Sequence, residues 1–164
     1  MQATKTVYLS LGSNLGDRAA NLGEALTALA FAGVRVAKQS SLYRTQPVDF
    51  EVQSWFLNCV VEAETTLMPR QLLHVMQRIE RELGPRKLVR RGPRAVDIDI
   101  LFFGAARMRT RELELPHPRI AERRFVLVPL SEIAPAFRHP TLQKTIAELL
   151  ADTPDRSRVS KYRG

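Results

Sequence analysis

The sequence predicts an α+β fold: a β-α-β-β-α-β core with an antiparallel sheet, packed helices and a C-terminal extension. Three observations carry this. Short alternating runs rich in β-formers recur along the chain, two amphipathic runs of helical period separate them, and turn residues punctuate the joins. Residues 4–10 (TKTVYLS) alternate and form the first strand. Residues 12–17 (GSNLGD) make a turn, with Asp17 as N-cap of the first helix. From residue 18 to about 32, Leu22, Ala25, Leu26 and Leu29 fall at i, i+3, i+4 and i+7, one apolar stripe of that helix. Gly33 closes it, and residues 34–43 return to strand alternation. A loop containing Pro47 spans 45–54, and 55–64 is a third strand. Pro69 suits the first turn of a helix through Leu83, with Leu72, Met76, Ile79 and Leu83 inward and Gly84 beyond its end. Residues 85–93 form a basic loop, 96–103 a fourth strand, and 104–115 a short hairpin. Two short helices, near 125–134 and 145–151, complete the chain. The order is that of the ferredoxin-like split βαβ, with helices on one face of the sheet.

The chain has 164 residues, enough for a single domain over 1–164 that buries a core without disulfides or metal staples. Its 45% hydrophobic and 26% charged residues exclude a disordered or collagen-like chain. No run approaches the roughly 20 apolar residues of a membrane span, and the N-terminus lacks the apolar stretch of a signal peptide. With one cysteine, Cys59, no internal disulfide is possible, and a cytoplasmic protein is expected.

The 25 Lys+Arg against 17 Asp+Glu give a formal charge of +8, which calls for a polyanionic partner. Arginines dominate two groups: Arg78, Arg81, Arg86, Arg90, Arg91 and Arg94, then Arg107, Arg109, Arg111, Arg119, Arg123 and Arg124. Their planar forks match phosphate oxygens bidentately.

The chemistry concentrates in residues 90–103. On a strand, Asp97 and Asp99 share one face and Ile98 and Ile100 the other. Aspartate is a poor strand former, and paired carboxylates repel unless a cation lies between them, so the pattern favours a Mg²⁺ site over a solvated face. Arg94, three residues earlier, is placed to meet phosphate, and the basic loop before it reads equally as a phosphate lid or as solvated surface. Residues 11–16 (LGSNLG) lack the Lys-Ser/Thr ending of a P-loop and read as a tight turn. Gln77 and Glu80 lie a turn apart; taken alone they are ordinary surface residues. Phe56, Asn58 and Phe125 are either core residues or two rings and an amide gripping a flat heterocycle. Of three histidines only His117, near the second arginine group, is a site candidate.

Together these segments resemble the 6-hydroxymethyl-7,8-dihydropterin pyrophosphokinase family. They are Leu11-Gly-Ser-Asn14, Tyr43-Arg-Thr45, Phe56-Leu-Asn58, Gln77-Arg-Ile-Glu80, residues 90–101, Leu115-Pro-His117 and Phe125-Val-Leu-Val-Pro-Leu130, in order over residues 7–136. The resemblance implies transfer of pyrophosphate from ATP, a co-substrate, to a dihydropterin alcohol in folate biosynthesis, with release of AMP. It implies two Mg²⁺ ions on Asp97 and Asp99, and Arg94 with a lid arginine, Arg86, acting on phosphate. Gln77, Glu80, Arg94, Ile100, His117 and Arg123 would line the ATP site. Phe56 and Phe125 would sandwich the pterin, and Asn58, Thr45, Gln46 and Val48 would read its edge. The expected partners are these small molecules, with no nucleic acid or membrane, and a monomer is expected. Departures from the family pattern are Arg91 where tryptophan is usual, a shortened lid at Gly84-Pro-Arg86, Glu112 in place of an arginine, and Pro118 after His117. A rival reading, a small RNA-binding module, expects aromatics and lysines where this sheet face carries aspartates. A relative without activity is a further alternative, with the altered lid as its cause.

Overall fold

In the computed structural model, residues 3–46, 55–84 and 95–164 are described. Strand β1 (Lys5–Ser13) leads to helix α1 (Arg18–Phe31), then β2 (Val34–Gln39), β3 (Tyr43–Thr45) and β4 (Phe56–Thr65). Helix α2 (Pro69–Leu83) precedes β5 (Asp97–Phe103), and a small hairpin comes next, β6 (Met108–Arg109) and β7 (Glu114–Leu115). Helices α3 (Arg124–Ile133) and α4 (Ile146–Asp152) and a last strand, β8 (Val159–Lys161), complete the order. The main sheet runs β5-β1-β4-β3-β8, with β2 also paired to β4, and every pairing is antiparallel.

Local chemistry accounts for most boundaries. The Asp17 carboxylate accepts the Ala20 N–H at 3.1 Å and starts α1, as expected of an N-cap. Pro69 opens α2, where the Gln71 side chain accepts the Met68 N–H at 2.8 Å. At α4 the Thr145 hydroxyl accepts from Glu148 N–H while the Glu148 carboxylate accepts from Thr145 N–H, a reciprocal cap.

The sheet separates two apolar layers. Val7, Leu9 and Leu11 of β1, Leu57, Cys59 and Val61 of β4 and Ile98 and Ile100 of β5 meet α1 and α2. Tyr8, Val60, Leu101 and Phe102 meet α3 and α4 on the opposite face. Side chains alternate across a strand, so each strand feeds both layers. In β5 the register slips by one residue: Tyr8 pairs with Phe102 and Leu9 with Ile100, which leaves Leu101 extra. Leu101 and Phe102 can therefore both face α3, and Phe103 returns to the first layer.

The structure corrects four expectations. Helices cover both faces of the sheet rather than one, because β1, β4 and β5 are apolar on both sides. Strand β1 continues through Gly12 and Ser13, so the turn begins only at Asn14. The run 34–43 breaks into two strands at 40–42, each pairing with a different part of β4. The C-terminal residues add an unforeseen edge strand, β8, on β3.

Candidate functional site

Strand pairing brings the separated motifs onto one face. Gly12 lies opposite Asn58 on one side and Asp97 on the other, and Ser10 opposite Val60 and Asp99. Cross-strand partners share a face, so Asn58, Asp97 and Asp99 all project towards the α3 side. Phe56 and Thr45 are a further pair on that side. Two residues along a strand span roughly 6.6 Å, which sets the spacing of the two aspartates. Asp99 is exposed and Asp97 half-buried, so the pair opens to solvent.

Ser10 and Gly12 form a low floor between the amide and the carboxylates. A Cβ on Gly12 would fall well inside contact with Asn58 Oδ1 and 3.3 Å from Phe56 Cδ1. The sequence pattern assigns residues 12–17 to a turn and misses this role. A signal for it exists: Val7, Leu9 and Leu11 point to the core, so position 12 must point away from it. Asn58 is buried, and its Nδ2 donates a short hydrogen bond to the buried Thr45 hydroxyl. That bond fixes the carboxamide and leaves Oδ1 facing Gly12.

Phe125 lies in the first turn of α3, partly buried against the second apolar layer. The Arg123 guanidinium sits 5.4 Å from the centre of its ring, a cation–π contact that ties the arginine to the aromatic. His117 N–H donates to Leu101 carbonyl at 2.9 Å, which docks the segment after β7 beside β5. Burial, followed by the charges of Arg123 and Arg119, lowers the His117 pKa from 6.5 to about 4. Its Nδ1 accepts the Arg119 N–H at 3.1 Å, so the neutral ring carries its proton on Nε2. A cavity of about 520 Å³ lies along His117, Arg107 and Arg109.

The remaining candidates divide. Glu80 accepts the Ile98 N–H at 2.8 Å, which fastens α2 to the strand carrying the aspartates. Gln77 is exposed on the same helix. The Ile100 side chain is buried in the first apolar layer, on the face opposite Asp97 and Asp99. Gln46 is engaged with the C-terminal segment: its N–H donates to Arg158 carbonyl, and its side chain accepts from Arg158 N–H, each at 3.3 Å. Arg86, Arg94 and Val48 lie outside the described residues, as do Arg91 and the lid after Gly84. Glu112, on the β6–β7 turn, reaches α2 through Arg70 at 3.4 Å and His74 at 3.5 Å.

A family model described as 7,8-dihydro-6-hydroxymethylpterin-pyrophosphokinase (HPPK) matches residues 8–135. The chain belongs to this family. A Bacillus subtilis pyrophosphokinase of the family is 50% identical over 127 residues, covering 77% of this chain and 76% of its own length. A Methylorubrum extorquens pyrophosphokinase is 46% identical, covering 87% of this chain and 92% of its own. The Pneumocystis carinii folic acid synthesis protein fol1 is 43% identical over 87% of this chain, which spans only 19% of that longer protein. A crystal structure of Plasmodium falciparum HPPK-DHPS shares the fold, with a TM-score of 0.74 at 18% identity over 92% of this chain and 43% of that one. The HPPK match encloses every described candidate, from Thr45 to Phe125.

Proposed function

We propose that this HPPK family member transfers pyrophosphate from ATP to the hydroxymethyl oxygen of 6-hydroxymethyl-7,8-dihydropterin, releasing AMP, in folate biosynthesis. The observation that carries the reading is the single sheet face shared by Asn58, Phe56, Asp97 and Asp99 across the bare floor at Gly12.

Phe56 and Phe125 supply ring faces for a flat bicycle, and the fixed carboxamide of Asn58 supplies donor and acceptor to its edge. The pterin alcohol oxygen attacks the β-phosphorus, the α–β bridging bond breaks with its electrons staying on AMP, and the hydroxyl proton leaves to solvent. Such transfer depends on alignment and on charge neutralisation more than on covalent chemistry. Asp97 and Asp99 offer only hard oxygens, without His or Cys beside them on the strand, and this donor set fits two Mg²⁺ ions. Bound there, Mg²⁺ supplies charge neutralisation to the phosphates. Arg94 and Arg86 are assigned to the phosphate chain, Arg94 to assist transfer. His117, neutral at physiological pH, offers its Nε2–H as a donor in the ATP site alongside Gln77, Glu80, Arg123 and the Ile100 backbone. Backbone groups around Thr45, Gln46 and Val48 are assigned to the pterin edge.

Incubation with ATP, Mg²⁺ and 6-hydroxymethyl-7,8-dihydropterin tests the reading. AMP and the pterin diphosphate are the expected products. ADP, or no turnover, overturns it.

A further inference from the structure

The arginines of the C-terminal segment belong to none of the assignments above, yet two of them converge with two others on one cleft. A cavity of about 420 Å³ is lined by Arg44, Arg124, Arg156 and Arg158, together with Trp55 and Ser157. We infer that this cleft is a second anion site, which takes the diphosphate or triphosphate group of a small soluble molecule.

Position separates it from the aspartates. Asp97 and Asp99 sit on β5 at one edge of the sheet, whereas Arg44 is on β3 and Arg158 precedes β8 at the other. From β5 to β3 there are three strand steps, about 14 Å. None of the cleft residues is among those assigned to ATP, metal or pterin.

The side chains are held mostly by neutral partners; the Asp155 carboxylate, whose pKa the Arg124 charge helps to lower, offsets part of one of the four charges. Arg124 Nε donates to the Ser157 carbonyl at 3.1 Å, and Arg156 Nη1 to the Thr153 carbonyl at 2.9 Å. The Arg44 guanidinium lies 4.6 Å from the centre of the Trp55 ring. Each guanidinium has five N–H donors, so most of these donors remain for a ligand. Among the described residues, none of the four arginines is in an ion pair, and no Asp or Glu lines the cavity. The nearby Asp155 is turned to the chain itself, accepting from Arg124 N–H, Ser157 N–H and the Ser157 hydroxyl.

Four guanidiniums around one concavity repel one another, and a polyanion removes that cost while satisfying planar donors in pairs. A single phosphate carries only about two negative charges against four guanidiniums, whereas a di- or triphosphate comes closer to their summed charge and spans more of the cleft. The cleft is less suited to single-stranded nucleic acid. Stacking recognition needs open aromatic platforms in series. Here the described lining offers Trp55, with Arg44 already over its ring.

Trp55 is the only tryptophan in the chain, so its fluorescence reports on the cleft. The test is a titration of the full chain with inorganic tripolyphosphate in EDTA, which removes metal-dependent binding at the aspartates. A saturable fluorescence change is expected, weakened about tenfold or more in Arg156→Ala/Arg158→Ala. Lys161→Ala/Arg163→Ala removes equal charge from the same segment without touching the cavity lining, and should bind as the parent does. Equal affinity for a nucleoside triphosphate would mean that the phosphate chain alone is read; tighter binding would mean an ester ligand. The inference is overturned by a non-saturating response, by equal weakening in both double variants, or by affinity for an oligonucleotide that exceeds tripolyphosphate and grows with its length. None of these outcomes depends on turnover, so the proposed activity stands or falls separately.

Discussion

Replacing Gly12 with alanine isolates the contribution of the floor between the amide and the carboxylates. The new Cβ would overlap Asn58 Oδ1 and press on Phe56 Cδ1 at 3.3 Å. Asn58 and Thr45 are 4% and 1% exposed, so the carboxamide cannot swing into solvent without breaking their hydrogen bond. Overpacking a tight site costs about 1–3 kcal/mol, and orphaning a buried polar group a similar amount. The lower unfolded-state entropy of alanine returns about 0.5–1 kcal/mol. A net loss centred on about 3 kcal/mol results, or roughly 6–12 °C in Tm for a chain of this size. Gly23→Ala is the control: nothing lies within 4 Å of a Cβ there, on exposed α1 surface, and helix propensity predicts a gain of about 0.5–1 kcal/mol. Thermal melts of both variants, with steady-state kinetics, make the assay. KM for the pterin should rise several-fold in Gly12→Ala, while KM for ATP moves little. A Gly12→Ala protein that melts within about 2 °C of the parent with unchanged pterin KM would refute the reasoning.

Three further outcomes are expected. Asp97→Asn and Asp99→Asn should each reduce turnover by at least about a hundredfold while Tm shifts by no more than a few degrees, since Asp99 is exposed and Asp97 half-buried; full activity in either would remove the metal assignment. His117, at about 4 folded against 6.5 unfolded, binds fewer protons in the native state between those values. Stability therefore falls as pH drops from 6.5 towards 4, and His117→Gln should flatten that part of a denaturation-versus-pH curve. His139 contributes with the same sign through its burial, so the slope should shrink rather than vanish. Tyr43→Phe removes the 2.6 Å bond from the Tyr43 hydroxyl to Glu132, which keeps its two bonds from Ser41. Burial alone would raise the Glu132 pKa, but these bonds outweigh it and hold the carboxylate low. Denaturant titration should show a loss of about 1 kcal/mol, with the Glu132 pKa moving up in the variant.

Much of the molecule is legible in sequence because its signals are local. The stripe Leu22, Ala25, Leu26 and Leu29 locates α1: three of the four are buried and Leu26 is partly buried against the same layer. Asp17 and Thr145 mark helix starts by hydrogen bonds that reach only three residues. The i, i+2 spacing places Asp97 and Asp99 on one face whatever the rest of the chain does. The motifs point to the family on their own, and the HPPK match over residues 8–135 agrees.

Other features depend on residues far apart in the chain, and local pattern is silent about those. That Gly12 separates Asn58 from Asp97 is a consequence of the register of three strands. That β5 can serve both apolar layers is a consequence of the slip at Leu101. The pKa of His117 is set by burial and by Arg123 and Arg119, and the docking of its segment on β5 supplies the burial. Arg44, Arg124, Arg156 and Arg158 read as scattered surface charge until β8 pairs with β3 and draws them around Trp55. By itself the sequence determined the helices and most of the strands, the family and the facing aspartates, since periodicity, capping and motif spacing act within a few residues. Only the tertiary structure decided the floor at Gly12, the second helical layer, the protonation of His117 and the arginine cleft, because register and burial are set by the whole sheet.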